Sequence, residues 1–388
     1  MPSIKKKFIL MCLSAALCTS LFAFVPAYAD SSADANTSAT AAQFFTIENA
    51  VEYAKEHSLK LVELKAKEEN AKLAEREARI SYNNARKMAA SDINTYLATS
   101  GYSYTAARFS SRAAQRNTIL GEYTLESNVS QAFYTYIIAV KKEQLSRESL
   151  ESAHERVTSA ELKYKNGTIS ENELESFKIA ELQAQNNLNA AVRSKDYSMI
   201  QLKSTIGYPH DRELIASGEF TRRPIDATTP EEALIKAQTS ISHVNAKETL
   251  ELAESKLKRY QIFYSPIQTT WDSAKSDYAV AELSYNTAIE NERLEIYRAY
   301  NNMLSLYESL EYLDRNLAYT QKQVDAYKMR YELGMITSDD YLAVVQQLDS
   351  LRNTLSDTEL NAYLASVQYR LTFDCENTVF EEDNPLLW

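Results

Sequence analysis

Tyr164-Lys165-Asn166-Gly167-Thr168-Ile169-Ser170 and Tyr331-Glu332-Leu333-Gly334-Met335-Ile336-Thr337 are two versions of one phrase, 167 residues apart in a chain of 388. Each interrupts a long amphipathic stretch free of glycine and proline. A glycine at the end of such a run can take the left-handed conformation that closes a helix. The Ser170 or Thr337 behind it can cap the next helix. A long helix, tight turn and long helix that occur twice predict an extended coiled-coil assembly rather than a compact domain with a cleft.

The six glycines and seven prolines parse the rest of the chain. Such residues cost about 1 and about 3 kcal/mol inside a helix, so they are expected only where helices stop. Gly101 and Gly121 flank one region. Gly207, Pro209, Gly218, Pro224 and Pro230 crowd another, and Pro266 marks a near-direct turn between helices. Thr46-Ile-Glu-Asn and Thr229-Pro-Glu-Glu each open a half with a capping threonine and acids in the first turn. The openings lie 183 residues apart and the turns 167, which leaves 16 extra residues in the first half, between about Tyr82 and Tyr102.

The organisation read from this is a signal peptide over 1–29, a flexible N-terminus over 30–45 and a helical repeat over 46–206. A linker over 207–229, a second repeat over 230–373 and an acidic tail over 374–388 follow. In the second half two helices of about 35 residues flank one of about 67, so a short pair stacked end to end matches a long neighbour of roughly 100 Å. Met303, Leu306, Leu310, Leu313, Leu317, Thr320, Val324, Tyr327 and Tyr331 follow at steps of 3 and 4, the spacing of a left-handed coiled coil. The equivalent line from Tyr136 to Tyr164 is smaller and more polar, so part of that surface faces water or another subunit. The fold class is all-α: elongated antiparallel coiled-coil hairpins in two tandem repeats.

Lys5, Lys6 and Lys7 precede an apolar run from Phe8 to Val25, and Ala27-Tyr28-Ala29 supplies small residues for cleavage, which favours removal over retention as an anchor. Without the leader, 39 basic residues face 53 acidic ones, a charge of −14 that disfavours a nucleic-acid partner. Cys375 is then the one cysteine, so no internal disulfide framework exists. His57, His154, His210 and His243 are scattered without a metal-ligand motif, and no phosphate-binding loop occurs. Glu171, Glu173, Asp339 and Asp340 are explained by their place in first helical turns. No catalytic residue, metal or cofactor is expected, and the chain reads as a non-enzyme.

The chain resembles the TolC-like outer-membrane efflux family over nearly all of its length after the leader. The resemblance rests on a turn pattern of aromatic, glycine, apolar residue, Ser or Thr, acid and apolar residue. Here that is Tyr164, Gly167, Ile169, Ser170, Glu173 and Leu174, then Tyr331, Gly334, Ile336, Thr337, Asp340 and Tyr341. It implies a homotrimeric tunnel, a passive conduit for export whose turns dock a periplasmic adaptor attached to an inner-membrane pump. Carried over, the contact set is Tyr164, Asn166, Gly167, Thr168 and Ile169 with Tyr331, Leu333, Gly334, Met335 and Ile336. For folding alone, the glycines need only close hairpins.

The family also inserts two β-hairpins per chain to build a membrane barrel, and this sequence has little room for them. A membrane strand needs about 9–11 residues. The region from Tyr82 to Glu122 lacks sustained alternation, and its Arg108, Arg112 and Arg116 recur at helical spacing. The barrel is therefore expected to be missing or vestigial. The three arginines form a stripe that would be a solvated face or a contact with anionic lipid or wall polymer. The alternative function is a non-transporting envelope rod or tether.

Overall fold

The computed structural model describes residues 43–218, 220–262 and 268–374. The leader, the tail and Pro266 lie outside the described residues. The first half runs β1 (Gln43–Phe45), α1 (Ile47–His57), α2 (Leu59–Ala85), α3 (Ile93–Thr99), α4 (Tyr102–Lys165) and α5 (Glu171–Ile206). After β2 (Leu214–Ala216) come α6 (Pro230–Ala237), α7 (Ile241–Ile262), α8 (Gln268–Glu332) and α9 (Ser338–Leu371). At about 1.5 Å per residue, α4 and α8, with 64 and 65 residues, each extend nearly 100 Å.

Each long helix is the spine of one half. Helices α1, α2 and α5 pack along α4, while α6, α7 and α9 pack along α8, and contacts of α4 with α7 and α9 join the halves. The heptad line on α8 supplies the seam, for Met303, Leu310, Leu313 and Thr320 are buried. The α4 line is seamed by smaller side chains, with Ala139, Ala153, Val157 and Ala160 buried. Ser58 both ends α1 and caps α2, its hydroxyl accepting from Leu61 N–H at 3.3 Å, so the short pair is broken without a glycine.

The only strands among the described residues are β1 and β2, which pair in parallel with Phe45 opposite Ala216. The buried Phe45 ring meets Tyr53 and Tyr208 edge-on and anchors this pair to the core of the first half. Beyond β2, residues 220–229 strap across the second half. Arg222 reaches Asp314 on α8 at 2.6 Å and Glu359 on α9 at 2.7 Å. Its guanidinium holds the Asp314 carboxyl below the usual range. Tyr307 donates to the Arg223 carbonyl at 2.9 Å and Tyr369 to that of Thr228 at 2.9 Å.

Residues 86–101, in the region expected to hold the extra length of the first half, form a turn and the short helix α3, whose N-terminus Asp92 caps by accepting from Thr95 N–H at 2.9 Å. One glycine departs from expectation. Gly121 lies inside α4 rather than at a helix end, because a Cβ there would overlap Cδ1 of Leu64 on α2. It is a close-approach residue between helices. Gly121→Ala is expected to be tolerated, since the Leu64 side-chain end can move and alanine gains about 1 kcal/mol of helix propensity. Gly121→Leu should lose about 1–3 kcal/mol by overpacking, read as a lower midpoint in urea.

Candidate docking site at the paired glycine turns

Both turns have the same backbone. Gly167 N–H donates to the Tyr164 carbonyl and Thr168 N–H to that of Lys163, both at 2.9 Å, while Gly334 and Met335 repeat this with Tyr331 and Arg330 at 2.9 Å. This is the two-bond Schellman closure of a helix, and it requires positive φ at the glycine. Both glycines have φ 70°. No atom lies within 4 Å of where their Cβ would be, so the requirement is conformational and not steric.

The next helices open on matched capping boxes. Glu173 N–H donates to Ser170 Oγ at 3.2 Å and Ser170 N–H to Glu173 Oε2 at 3.1 Å; Asp340 and Thr337 do the same, both at 3.2 Å. The Thr337 hydroxyl also donates to Asp340 and, with its backbone N–H, holds that carboxyl below the usual range. These acids are committed to the helix starts.

The turns, distant in sequence, meet at one end of the helices. The Phe177 and Tyr331 rings are 5.7 Å apart, Tyr331 stacks on Tyr341 at 5.8 Å, and Lys163 Nζ lies 4.5 Å from the Tyr331 ring centroid. Ser176 and Ser338 hydroxyls are 3.1 Å apart. Leu174, Phe177, Tyr341, Leu342 and Val345 form a buried cluster against which Ile169, Tyr331 and Ile336 pack. The ten expected contact residues therefore divide by environment. Ile169, Ile336 and Tyr331 brace the turns from inside, and burial pushes the Tyr331 hydroxyl pKa up. Asn166, Gly167, Thr168, Gly334 and Tyr164 are exposed, with Leu333 and Met335 at 65% and 70%. Between α5 and α9, behind the turns, lies a groove of about 690 Å³ lined by Ile179, Asn187, Asp339 and Leu342.

The arginine stripe is corrected. Arg112 and Arg116 are neither a solvated face nor an envelope contact, because both are buried against Glu248 of α7, which is itself buried. Arg108 is partly exposed beside them. The signal was present in the spacing: Thr105, Phe109, Arg112 and Arg116 step by 4, 3 and 4 and are all buried. The two arginines occupy seam positions, where an opposite charge on the facing helix was required. Among the described residues no group of side chains could hold a metal ion, and no helix is long and apolar enough to cross a membrane.

Residues 262–371 match the family model described as outer membrane efflux protein. Among solved structures, the chain is similar to VceC, an outer membrane protein of Vibrio cholerae, at 13% identity and TM-score 0.70, covering 84% of this chain and 95% of that one. It is similar to the CmeC outer membrane channel of Campylobacter jejuni at 14% and 0.65, covering 86% and 87%. A membrane protein of Pseudomonas aeruginosa gives 14% and 0.71, covering 84% and 90%. The chain has the TolC-like fold. No curated protein matches it in sequence. The match to the family model covers residues 262–371, and the likeness to these solved structures is one of fold.

Proposed function

We propose that this TolC-like protein is the passive conduit of a homotrimeric export assembly, and that its paired glycine turns are the dock for a periplasmic adaptor coupled to an inner-membrane pump. The observation that carries this reading is the duplicated turn: two identical backbone closures, side by side, with exposed Leu333 and Met335 held over a braced aromatic cluster. A rigid, preorganised surface loses little entropy on docking. An apolar pair can staple a hairpin for folding alone, and docking adds a reason for Leu333 and Met335 to stand uncovered at the tip.

The test is a photo-crosslinking residue placed in cells at Met335 or Thr168, with Arg315 on the shaft of α8 as the control. An adduct with an adaptor-type protein from the turn positions only is the expected result, and Leu333→Asp with Met335→Asp should abolish it and the export phenotype while leaving the unfolding free energy in urea within about 0.5 kcal/mol of the parent. Equal labelling from turn and shaft would refute the dock. The rod or tether reading is favoured by one observation, that β1 and β2 are the only strands among the described residues. A solid dimer in solution, in place of a hollow trimer, would establish it.

A further inference from the structure

The end opposite the turns is formed where α2 and α7 finish and α4 and α8 begin. Four contacts bring these termini together. The Tyr82 and Tyr104 rings lie parallel at 6.2 Å, Arg259 Nε donates to Ser100 Oγ at 3.1 Å, the Arg259 guanidinium sits 5.8 Å from the Tyr102 ring, and Lys256 pairs with Asp277 at 2.7 Å. Past this girdle, large apolar side chains are left uncovered: Met88 at 65%, Ile262 at 71% and Trp271 at 36% exposure. Basic residues stand among them. Arg86 and Lys87 are exposed and have no ion-pair partner among the described residues, and Lys275 lies 5.7 Å from the Trp271 ring. Counting both sides of this end, residues 76–116 and 248–282 together hold eleven basic residues against eight acidic ones in a chain of net charge −11. The charge at this end is thus opposite to that of the molecule.

Apolar and aromatic side chains interspersed with unpaired cations suit one environment better than any protein groove, the boundary between lipid headgroups and acyl chains. An anionic bilayer attracts the cations, while the apolar groups enter it by a short distance. We propose that this end is a peripheral membrane-binding surface for anionic phospholipid, with Arg86 and Lys87 on the phosphates and Met88, Ile262 and Trp271 in the interfacial layer. The attachment is independent of the docking turns, which lie at the other end of α4 and α8. It supplies a hold on the bilayer that uses no strand from the described residues.

The experiment is flotation of the exported protein with phosphatidylcholine vesicles, with and without phosphatidylglycerol. Binding should depend on the anionic lipid and weaken as salt rises. At about 1 kcal/mol per cation, Arg86→Gln with Lys87→Gln should reduce it about 30-fold, and Met88→Ser with Trp271→Ser should reduce it again. Far-ultraviolet circular dichroism and oligomeric mass should be unchanged in both variants. Binding that ignores lipid charge, or that survives both pairs of substitutions, would overturn the proposal. So would retention on an anionic wall polymer without vesicle flotation, or a change of oligomeric mass with vesicle binding intact, which would assign the same side chains to a subunit interface.

Discussion

Glu248→Ala is expected to destabilise the protein by about 3–5 kcal/mol, because it leaves buried charges without a counter-ion. Glu248 is 4% exposed, Arg112 8% and Arg116 0%. The carboxylate receives Arg112 at 2.8 Å and both terminal nitrogens of Arg116, while Arg116 Nε donates to Asn245 at 2.7 Å. Once the carboxylate is gone, Arg112 loses its counter-ion and Arg116 keeps only Asn245, which leaves two buried guanidiniums of α4 uncompensated. The companion experiment separates charge from packing: Arg112→Met, Arg116→Met and Glu248→Leu together should be close to neutral, since replacing an entire buried ion cluster with apolar groups removes the desolvation penalty along with the attraction. Urea unfolding of the single and triple variants reads both. A single variant as stable as the parent would mean that water reaches the cluster.

Tyr369→Ala should lose a similar amount, about 3–5 kcal/mol for deleting a fully buried ring. The ring is 0% exposed, 5.5 Å from Tyr300 and 5.0 Å from Phe373, and its hydroxyl donates to the Thr228 carbonyl at 2.9 Å. Tyr369→Phe keeps the packing and drops that bond, for about 0.5–1.5 kcal/mol. The same group carries a pH signature. Burial pushes the Tyr369 hydroxyl up to about 12, above its unfolded value of about 10. A phenol whose pKa is raised by folding stabilises the folded state fully below the unfolded value, and that contribution drains away as pH climbs from about 10 towards 12. Parent stability should therefore fall over that interval more steeply than that of Tyr369→Phe.

The readable parts of the fold were those governed by neighbours in sequence. Gly167, Gly334, Ser170 and Thr337 announce their turns because helix closure and capping are local chemistry. Met303 to Tyr331 announces a seam because a heptad is a periodic signal. What escaped was decided across space. Whether Arg112 is wet or buried depends on Glu248, 136 positions away. Gly121 reads as a helix breaker until Leu64 is seen against it. The three residues of β1 give no alternation to detect, and pair with partners beyond the first repeat. At the turns, the backbone was legible, but the division between inward Ile336 and outward Met335 follows from how α5 and α9 meet.

The parallel pair β1–β2 joins positions 43–45 to 214–216, so the whole first hairpin is a closed loop hanging from a three-residue clasp. Tension entering at the leading end of the chain would cross the clasp and pass into the Arg222 strap, bypassing the hairpin. The long arm that carries Gly167 is then mechanically unloaded, held to the second half by side-chain contacts such as Lys142–Asp357, Ser149–Asp349 and Ser176–Ser338 while the force is borne elsewhere.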